Sequence, residues 1–239
     1  MSIPRLFIDQ PLAEGHLVEA APGQAHHIGT VLRRGPGDAV RLFNPRDGEW
    51  DATIEAIRKD RARFAIGAQA RPPAAEPECR LLVAALKRDA MDWVVEKATE
   101  LGATLIQPVL TRRTVADRAN AARLSAIARG AAEQCERLSV PEVAEAVPLH
   151  RLLDGWDGAP LVVAMERSQA RPLRELARPE GAPLALLVGP EGGFAEAELD
   201  DLRRRPFVVP AALGPRILRA ETAAVAGLAA LQALMGDWA

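Results

Sequence analysis

Two short stretches carry the residue types that small-ligand chemistry needs. Gly189-Pro190-Glu191-Gly192-Gly193-Phe194 follows the apolar run Leu186-Leu187-Val188. Its three glycines let the main chain approach a ligand closely and offer N–H groups unshielded by side chains, and Glu191 adds a carboxylate. The second stretch, Leu213-Gly214-Pro215-Arg216-Ile217-Leu218-Arg219-Ala220-Glu221-Thr222, leads into an alanine-rich segment. An Arg at a helix N-terminus suits an anion, and Thr222 reads as the helix cap. Taken singly, each stretch is also an ordinary strand-to-helix turn, with Arg219 and Glu221 a surface pair. Two such loops at neighbouring strand ends of one sheet read as a pocket, because ligands of open α/β sheets sit outside the carboxyl ends of the strands.

A sheet must hold those loops. Continuous apolar runs predict buried strands over residues 81–86, 105–110, 161–165, 184–188 and 207–210. Between them Ala90, Trp93, Val94, Lys97, Ala98 and Leu101 recur at helical spacing, with Gly102 where a C-cap belongs. Leu124, Ile127, Ala128, Ala131, Cys135 and Leu138 give a second helix, and residues 221–235 a last one. Strand and helix in alternation predict a mostly parallel sheet covered on both faces. Residues 140–160, with Pro141, Pro148 and Pro160, break that alternation. Upstream of the proline-rich linker Arg71-Pro72-Pro73-Ala74-Ala75-Glu76-Pro77 the texture is different. Residues 38–43 predict a strand and residues 44–48 a tight turn. Trp50, Ala52, Ile54 and Ala56 then alternate with polar residues, Lys59-Asp60 turns the chain, and Ala62, Phe64, Ile66 and Ala68 repeat the pattern. Short strands with tight turns predict a small β-barrel, so the division is residues 1–72 and 78–239.

Composition bounds the function. The 239 residues are 49% hydrophobic, which excludes a disordered chain. No apolar run of about 18 residues predicts a membrane span, and the N-terminus lacks the apolar core of a signal peptide. Cys79 and Cys135 are far apart and read as reduced thiols. His16, His26, His27 and His150 lack the spacing of a metal site, and neither Gly-rich phosphate-binding fingerprint is present. With 30 basic and 32 acidic residues the net charge is -2, which at first sight argues against a nucleic-acid partner. Residues 1–70 carry nine basic and nine acidic side chains, so neither part is basic overall. If RNA is the substrate, the basic side chains must gather on one face from barrel to pocket, with the acids elsewhere. The absence of Tyr argues against an aromatic stacking platform and favours shape and phosphate contacts.

The two loops taken together resemble the signature of the ribosomal RNA small-subunit methyltransferase E family, the 16S rRNA uracil-N3 methyltransferases of the SPOUT superfamily. Further matches are Lys87-Arg88-Asp89-Ala90-Met91-Asp92-Trp93 with Glu96-Lys97-Ala98-Thr99-Glu100-Leu101-Gly102, then Glu133-Gln134-Cys135-Glu136-Arg137 as a Glu-Gln-x-x-Arg helix. His26-His27, Val31-Leu32-Arg33 and Gly37-Asp38 are similar to its N-terminal barrel. The resemblance runs through nearly the whole chain in order. It implies an α/β fold with a SPOUT-type parallel sheet and a C-terminal trefoil knot, preceded by a small PUA-like β-barrel. It implies a cytoplasmic homodimer, without metal or membrane, acting on 16S rRNA or the 30S subunit, where the family's target is uracil 1498. S-adenosylmethionine is expected against Met165, Val188, Gly189, Pro190, Glu191, Gly192, Gly193, Leu213, Gly214, Ile217, Leu218 and Arg219, with Glu166 beside Met165 at the strand end.

The reaction so implied is attack by uracil N3 on a sulfonium methyl. N3 carries a proton that must leave, and the resulting anion needs positive charge nearby. Arg219 is the first residue expected to supply it and Arg137 the second. Glu221 or Glu191 is the candidate base, with deprotonation by solvent as the other route. Arg33, Arg34, Arg41, Arg46, Lys59, Arg61 and Arg63 are candidates for phosphate contacts, and Arg112-Arg113 are candidates to extend that track. The alternatives are another SPOUT RNA methyltransferase acting on a ribose 2′-oxygen, and a non-catalytic RNA-binding assembly factor.

Overall fold

A computed structural model describes residues 3–59, 61–114, 119–165, 170–176 and 181–238. Asp60 and Glu166, expected in a turn and at a strand end, lie outside the described residues. The chain divides into two compact units: residues 1–75 with 132–140, and residues 76–131 with 141–239.

The first unit holds β1 (Arg5–Phe7), β2 (Leu17–Glu19), α1 (Pro22–His26), β3 (Ala39–Asn44), β4 (Gly48–Arg58) and β5 (Arg61–Arg71). They form a five-stranded sheet in the order β1-β3-β4-β5-β2, antiparallel except for β1 with β3. Gly48 takes φ +81 at the start of β4, in the Asp-Gly reversal expected there. The Asp47 carboxylate accepts from the N–H of Leu12 and the amide of Asn44, each at 2.9 Å, and these bonds hold its pKa below the usual range. Ala52, Ile54, Ala62, Phe64 and Ile66 are buried as the alternation predicts, but Ala56 and Ala68 are exposed. The β4–β5 register shifts between Trp50 and Ala52 and again between Ile54 and Ala56. A bulge moves side chains to the other face, and Ile57 packs against the core instead.

The second unit holds β6 (Cys79–Ala84), α2 (Arg88–Glu100), β7 (Leu105–Leu110), α3 (Ala121–Gln134), β8 (Glu142–Val143), β9 (Val147–Pro148), α4 (Leu149–Asp154), β10 (Leu161–Ala164), β11 (Arg171–Pro172), β12 (Leu184–Val188), α5 (Glu196–Arg204), β13 (Val208–Ala212) and α6 (Ala220–Met235). The sheet is parallel throughout, in the order β11-β13-β10-β12-β6-β7-β8, with β9 also on β7. The unplaced stretch 140–160 therefore supplies two short edge strands and α4. All five residues of β12 are buried. Ala185 and Leu187 face a core shared with Leu149 and Leu153 of α4 and Leu202 of α5. Leu186 sits close to α6, where a Cβ on Gly227 would lie 2.7 Å from its Cδ2. Only glycine lets α6 lie this close to the sheet. The far end of α6 is tied to the end of α2 by Gln232, whose Nε2 donates to the Leu101 carbonyl at 2.8 Å. Thr222 does not cap α6: the N-cap is Arg219, in extended backbone, and Thr222 lies inside the first turn.

The last turn of α3 and residues 135–140 belong to the first unit. Helix ends leave carbonyls without intrahelical donors, and Arg5 satisfies them: its guanidinium donates to Ala132 O and Glu133 O at 3.0 Å and to Arg137 O at 2.8 Å. The same guanidinium lies 4.3 Å from the Phe43 ring centroid and pairs with buried Glu49, which also accepts from Arg71 at 2.7 Å. Burial opposes the charge on Glu49, yet the Arg5 and Arg71 guanidiniums hold its carboxyl below the usual range.

Candidate functional site

The carboxyl ends of the parallel strands open into a cleft of about 770 Å³. Its lining includes Ala164 at the end of β10, Met165 just after it, and Val188 at the end of β12. One wall is the loop 189–194. Gly193 N–H closes a turn on Pro190 O at 2.8 Å, and Gly193 itself takes φ +69, a region that favours glycine. The Gly189 position faces the Phe194 ring, three of whose atoms would lie 3.0–3.2 Å from a Cβ there. Phe194 is buried and packs in the core shared with α4 and α5, so the loop is anchored at its end. Beyond it, Glu198 reaches back to the N–H of Ala195 at 2.8 Å and so caps α5.

The opposite wall is 213–218, with Ala220 and Ala223 of α6 behind it. Gly214 takes φ +111 with open space around it, and Ile217 is 98% exposed. Alanines on the first turns of α6 leave the cleft wide at this end, while Leu199 and Leu213 make it apolar.

Eleven of the twelve residues expected around a cofactor line this cleft: Met165, Val188, Gly189, Pro190, Glu191, Gly192, Gly193, Leu213, Gly214, Ile217 and Leu218. Arg219 does not. It is exposed at the start of α6, next to the wall, and makes no ion pair among the described residues. Glu221 is half-buried in the first turn of α6 and also stands outside the lining. Glu191 is exposed and is the acid in the lining. Arg137 belongs to the first unit and does not line the cleft; its Nη2 donates to Ser139 Oγ at 3.0 Å. Glu133 of the same motif accepts from Phe7 N–H at 3.0 Å and Gln24 Nε2 at 3.3 Å. The Glu-Gln-x-x-Arg segment thus packs within the first unit, through partners distant in sequence that spacing does not display.

Arg113, expected with Arg112 to extend the phosphate contacts, lines the cleft and donates from Nη1 to Gly192 O at 2.7 Å. Among the expected phosphate contacts, Arg41 pairs with Asp51 at 3.1 Å and Arg63 with Glu55 at 2.5 Å. Arg46 approaches Asp9 at 3.9 Å. Arg33, Lys59, Arg61 and Arg112 are exposed and make no ion pair among the described residues. Arg34 is half-buried. The charged side chains in the lining are Arg113, Arg216 and Glu191, with Arg219 and Glu221 just outside it at the start of α6.

Residues 74–232 match the RNA methyltransferase domain, and residues 22–67 the RNA methyltransferase PUA domain. Ribosomal RNA small subunit methyltransferase E of Rickettsia conorii is 34% identical to this chain, over 98% of this chain and 97% of the relative. The chain belongs to that methyltransferase E family. Its fold is accordingly the family's: a SPOUT-type parallel-sheet α/β domain with an N-terminal PUA-like domain. The Bacillus subtilis member is 30% identical over 98% of this chain and 99% of its own. Among solved structures, the Neisseria gonorrhoeae family member bound to S-adenosyl methionine is 30% identical, covers 100% of both chains and superposes with a TM-score of 0.90. A Legionella pneumophila methyltransferase with bound cofactor SAM is also 30% identical, covers 98% of both chains and gives 0.89. Among the described residues no helix is long and apolar enough to cross a membrane, and no cluster of three His, Cys, Asp or Glu side chains could hold a metal ion.

Proposed function

We propose that this protein uses S-adenosylmethionine to methylate 16S rRNA at N3 of a uracil, the nucleotide at position 1498. The observation that carries the reading is the cleft itself, built from the two loops that mark the family. The cleft suits the cofactor. Its volume lies within the roughly 300–1,000 Å³ of small-molecule pockets, and its walls are mostly apolar with polar main chain between. Gly193 and Gly214 hold positive φ with nothing within 4 Å of a Cβ, so bare backbone faces open space. The loops 189–193 and 213–218 would hold the cofactor, Met165, Leu199 and Leu213 would pack its apolar parts, and when bound it supplies an activated methyl group.

The chain's own residues do the rest. Arg219 and Arg216, which make no ion pair among the described residues, offer guanidiniums at the cleft mouth, where negative charge on the uracil ring would develop as N3 loses its proton. Glu191, exposed in the lining, is better situated than half-buried Glu221 to accept that proton. Arg137, engaged with Ser139 in the first unit, is not assigned a step. The sheet and its loops contribute alignment of attacking nitrogen and methyl. Of the expected phosphate contacts, Arg33, Lys59, Arg61 and Arg112 are exposed without an ion pair among the described residues and would meet phosphate.

Three further features belong to this reading. Residues 1–72 would serve as the RNA-binding barrel and 78–239 as the catalytic domain, in the cytoplasm. The C-terminal segment would be knotted, an idea supported by the insertion of β13 between β10 and β11. The active form would be a homodimer, supported by exposed Trp93 on α2 and Leu234 and Trp238 at the end of α6. The decisive experiment is methyl transfer from S-adenosylmethionine to purified 30S particles and naked 16S rRNA, with the product nucleoside identified. N3-methyluridine is expected. Methylation on ribose would transfer the protein to the 2′-oxygen class, and no transfer to either substrate would reject the enzyme reading.

A further inference from the structure

One cation of the second unit is bound into the cleft wall. The turn after β7 carries Arg112 and Arg113, and it is closed by its own hydroxyls: Thr111 N–H donates to Thr114 Oγ1 at 2.9 Å, and the two Oγ1 atoms are 3.0 Å apart. This turn is joined to the glycine loop although β6 lies between β7 and β12 in the sheet. Arg112 N–H donates to Glu198 Oε1 at 2.8 Å, while Oε2 of the same carboxylate caps α5. Arg113 Nη1 donates to Gly192 O at 2.7 Å, and its stem runs along Gly192, with Cδ and Cβ 3.6 and 3.7 Å from the Cβ position there.

The result is that the peptide joining Gly192 to Gly193 is held at both ends. Its N–H donates to Pro190 O, and its C=O accepts from Arg113. A Gly-Gly peptide has more rotational freedom than any other, and rotation of this unit would turn its carbonyl and amide through the cleft wall. Pro190 alone fixes one end. A cation at the other end removes the remaining freedom before a ligand arrives.

We propose that Arg113 is a positioning residue, which fixes the Gly192–Gly193 peptide in the orientation that receives the cofactor. The proposal rests on the cleft being the S-adenosylmethionine site. The test is calorimetric titration of the full chain with S-adenosylmethionine in the absence of RNA. Arg113→Met keeps the stem and removes the donor; its Kd is expected to rise about ten- to hundred-fold, the range of one lost charge-assisted hydrogen bond. Arg113→Lys, which keeps a cationic donor, should recover part of the loss. In methyl transfer the Met variant's deficit should fall on KM for S-adenosylmethionine rather than on kcat, and hydrogen exchange at Gly193 N–H should accelerate without ligand. An Arg113→Met protein with wild-type Kd and wild-type exchange overturns the proposal. Should that variant not fold, Arg113→Gln, too short to reach Gly192, is read the same way. A wild-type chain that does not bind S-adenosylmethionine would instead reject the cofactor site itself.

Discussion

Replacing Gly189 by alanine tests whether the shape of the glycine loop is set by the ring behind it. The new Cβ would meet three atoms of Phe194 at 3.0, 3.1 and 3.2 Å, each a few tenths of an ångström inside ordinary contact. The ring cannot retreat cheaply, because Phe194 is 7% exposed and packs with Leu187 and Leu202. Overpacking of this kind destabilises by about 1–3 kcal/mol. Part of the strain will be relieved by moving residues 190–193, since that side of the loop faces open cleft. If binding requires the native loop, the same energy reappears as a weaker Kd for S-adenosylmethionine, about five-fold at the low end and 150-fold at the high end. Gly192→Ala is the control for stability, because its Cβ would meet only the Arg113 stem at 3.6 Å or beyond. Urea unfolding should therefore separate the two variants by about 1 kcal/mol or more, and calorimetry should show weakened binding in Gly189→Ala. A Gly189→Ala protein with wild-type unfolding and wild-type titration would refute the claim that Phe194 sets the loop.

Other outcomes are equally specific. Gly193→Val puts a β-branched residue at φ +69, so cofactor binding by calorimetry should be lost while secondary structure by circular dichroism persists. Arg219→Ala, assayed at saturating cofactor, should lower turnover by about a hundred-fold if its guanidinium stabilises the uracil anion; near-normal turnover removes it from the mechanism. Glu49→Ala leaves Arg5, 6% exposed, buried without its partner, and should cost about 3–5 kcal/mol in equilibrium unfolding. Because the Glu49 pKa is lowered on folding, its contribution is fully present above its ordinary value of 4.5 and is lost as pH falls through the lower folded value. Wild type should therefore lose stability below about pH 4.5 more steeply than Glu49→Gln. Arg61→Ser and Arg112→Ser should each reduce the slope of log affinity for rRNA against log salt by about one, with no preference among RNA sequences; an unchanged slope would remove that residue from the phosphate contacts.

The strands read best were those whose boundaries are local. Residues 105–110 and 184–188 are apolar runs bounded by turn residues, and the structure places β7 and β12 on those positions. Alternation failed at Ala56 and Ala68 because a bulge depends on how two strands register, not on either strand alone. Residues 140–160 were illegible for a related reason: β8 and β9 have two residues each and exist through pairing with β7. The second helix pattern ran on to Leu138, but α3 stops at Gln134, and Glu136 takes φ +64 just beyond. Its last carbonyls are satisfied by Arg5, about 130 positions away in sequence. The loops that line the cleft were legible because glycine and proline mark a loop wherever the strands lie. Arg113 escaped because its place in the cleft depends on β7 standing two strands from β12, and strand order is not written locally.

The net charge of -2 was the feature least favourable to an RNA partner, and the structure shows why a sum is the wrong quantity. Electrostatic attraction to phosphate depends on cations that are exposed and not already neutralised. Arg5, Arg41, Arg63, Arg80, Lys97, Arg123 and Arg205 are committed to carboxylates within 3.1 Å. Each such pair cancels itself at any distance where RNA could sense it. Arg33, Lys59, Arg61, Lys87, Arg88, Arg112, Arg216 and Arg219 make no ion pair among the described residues. Lys87, Arg88, Arg112, Arg216 and Arg219 all follow carboxyl ends of strands in the parallel sheet, the same edge that opens into the cleft. Asp89, Glu191 and Glu221 follow the same strand ends, so what a polyanion would meet at that edge is the balance of these few side chains and not the sum over the chain.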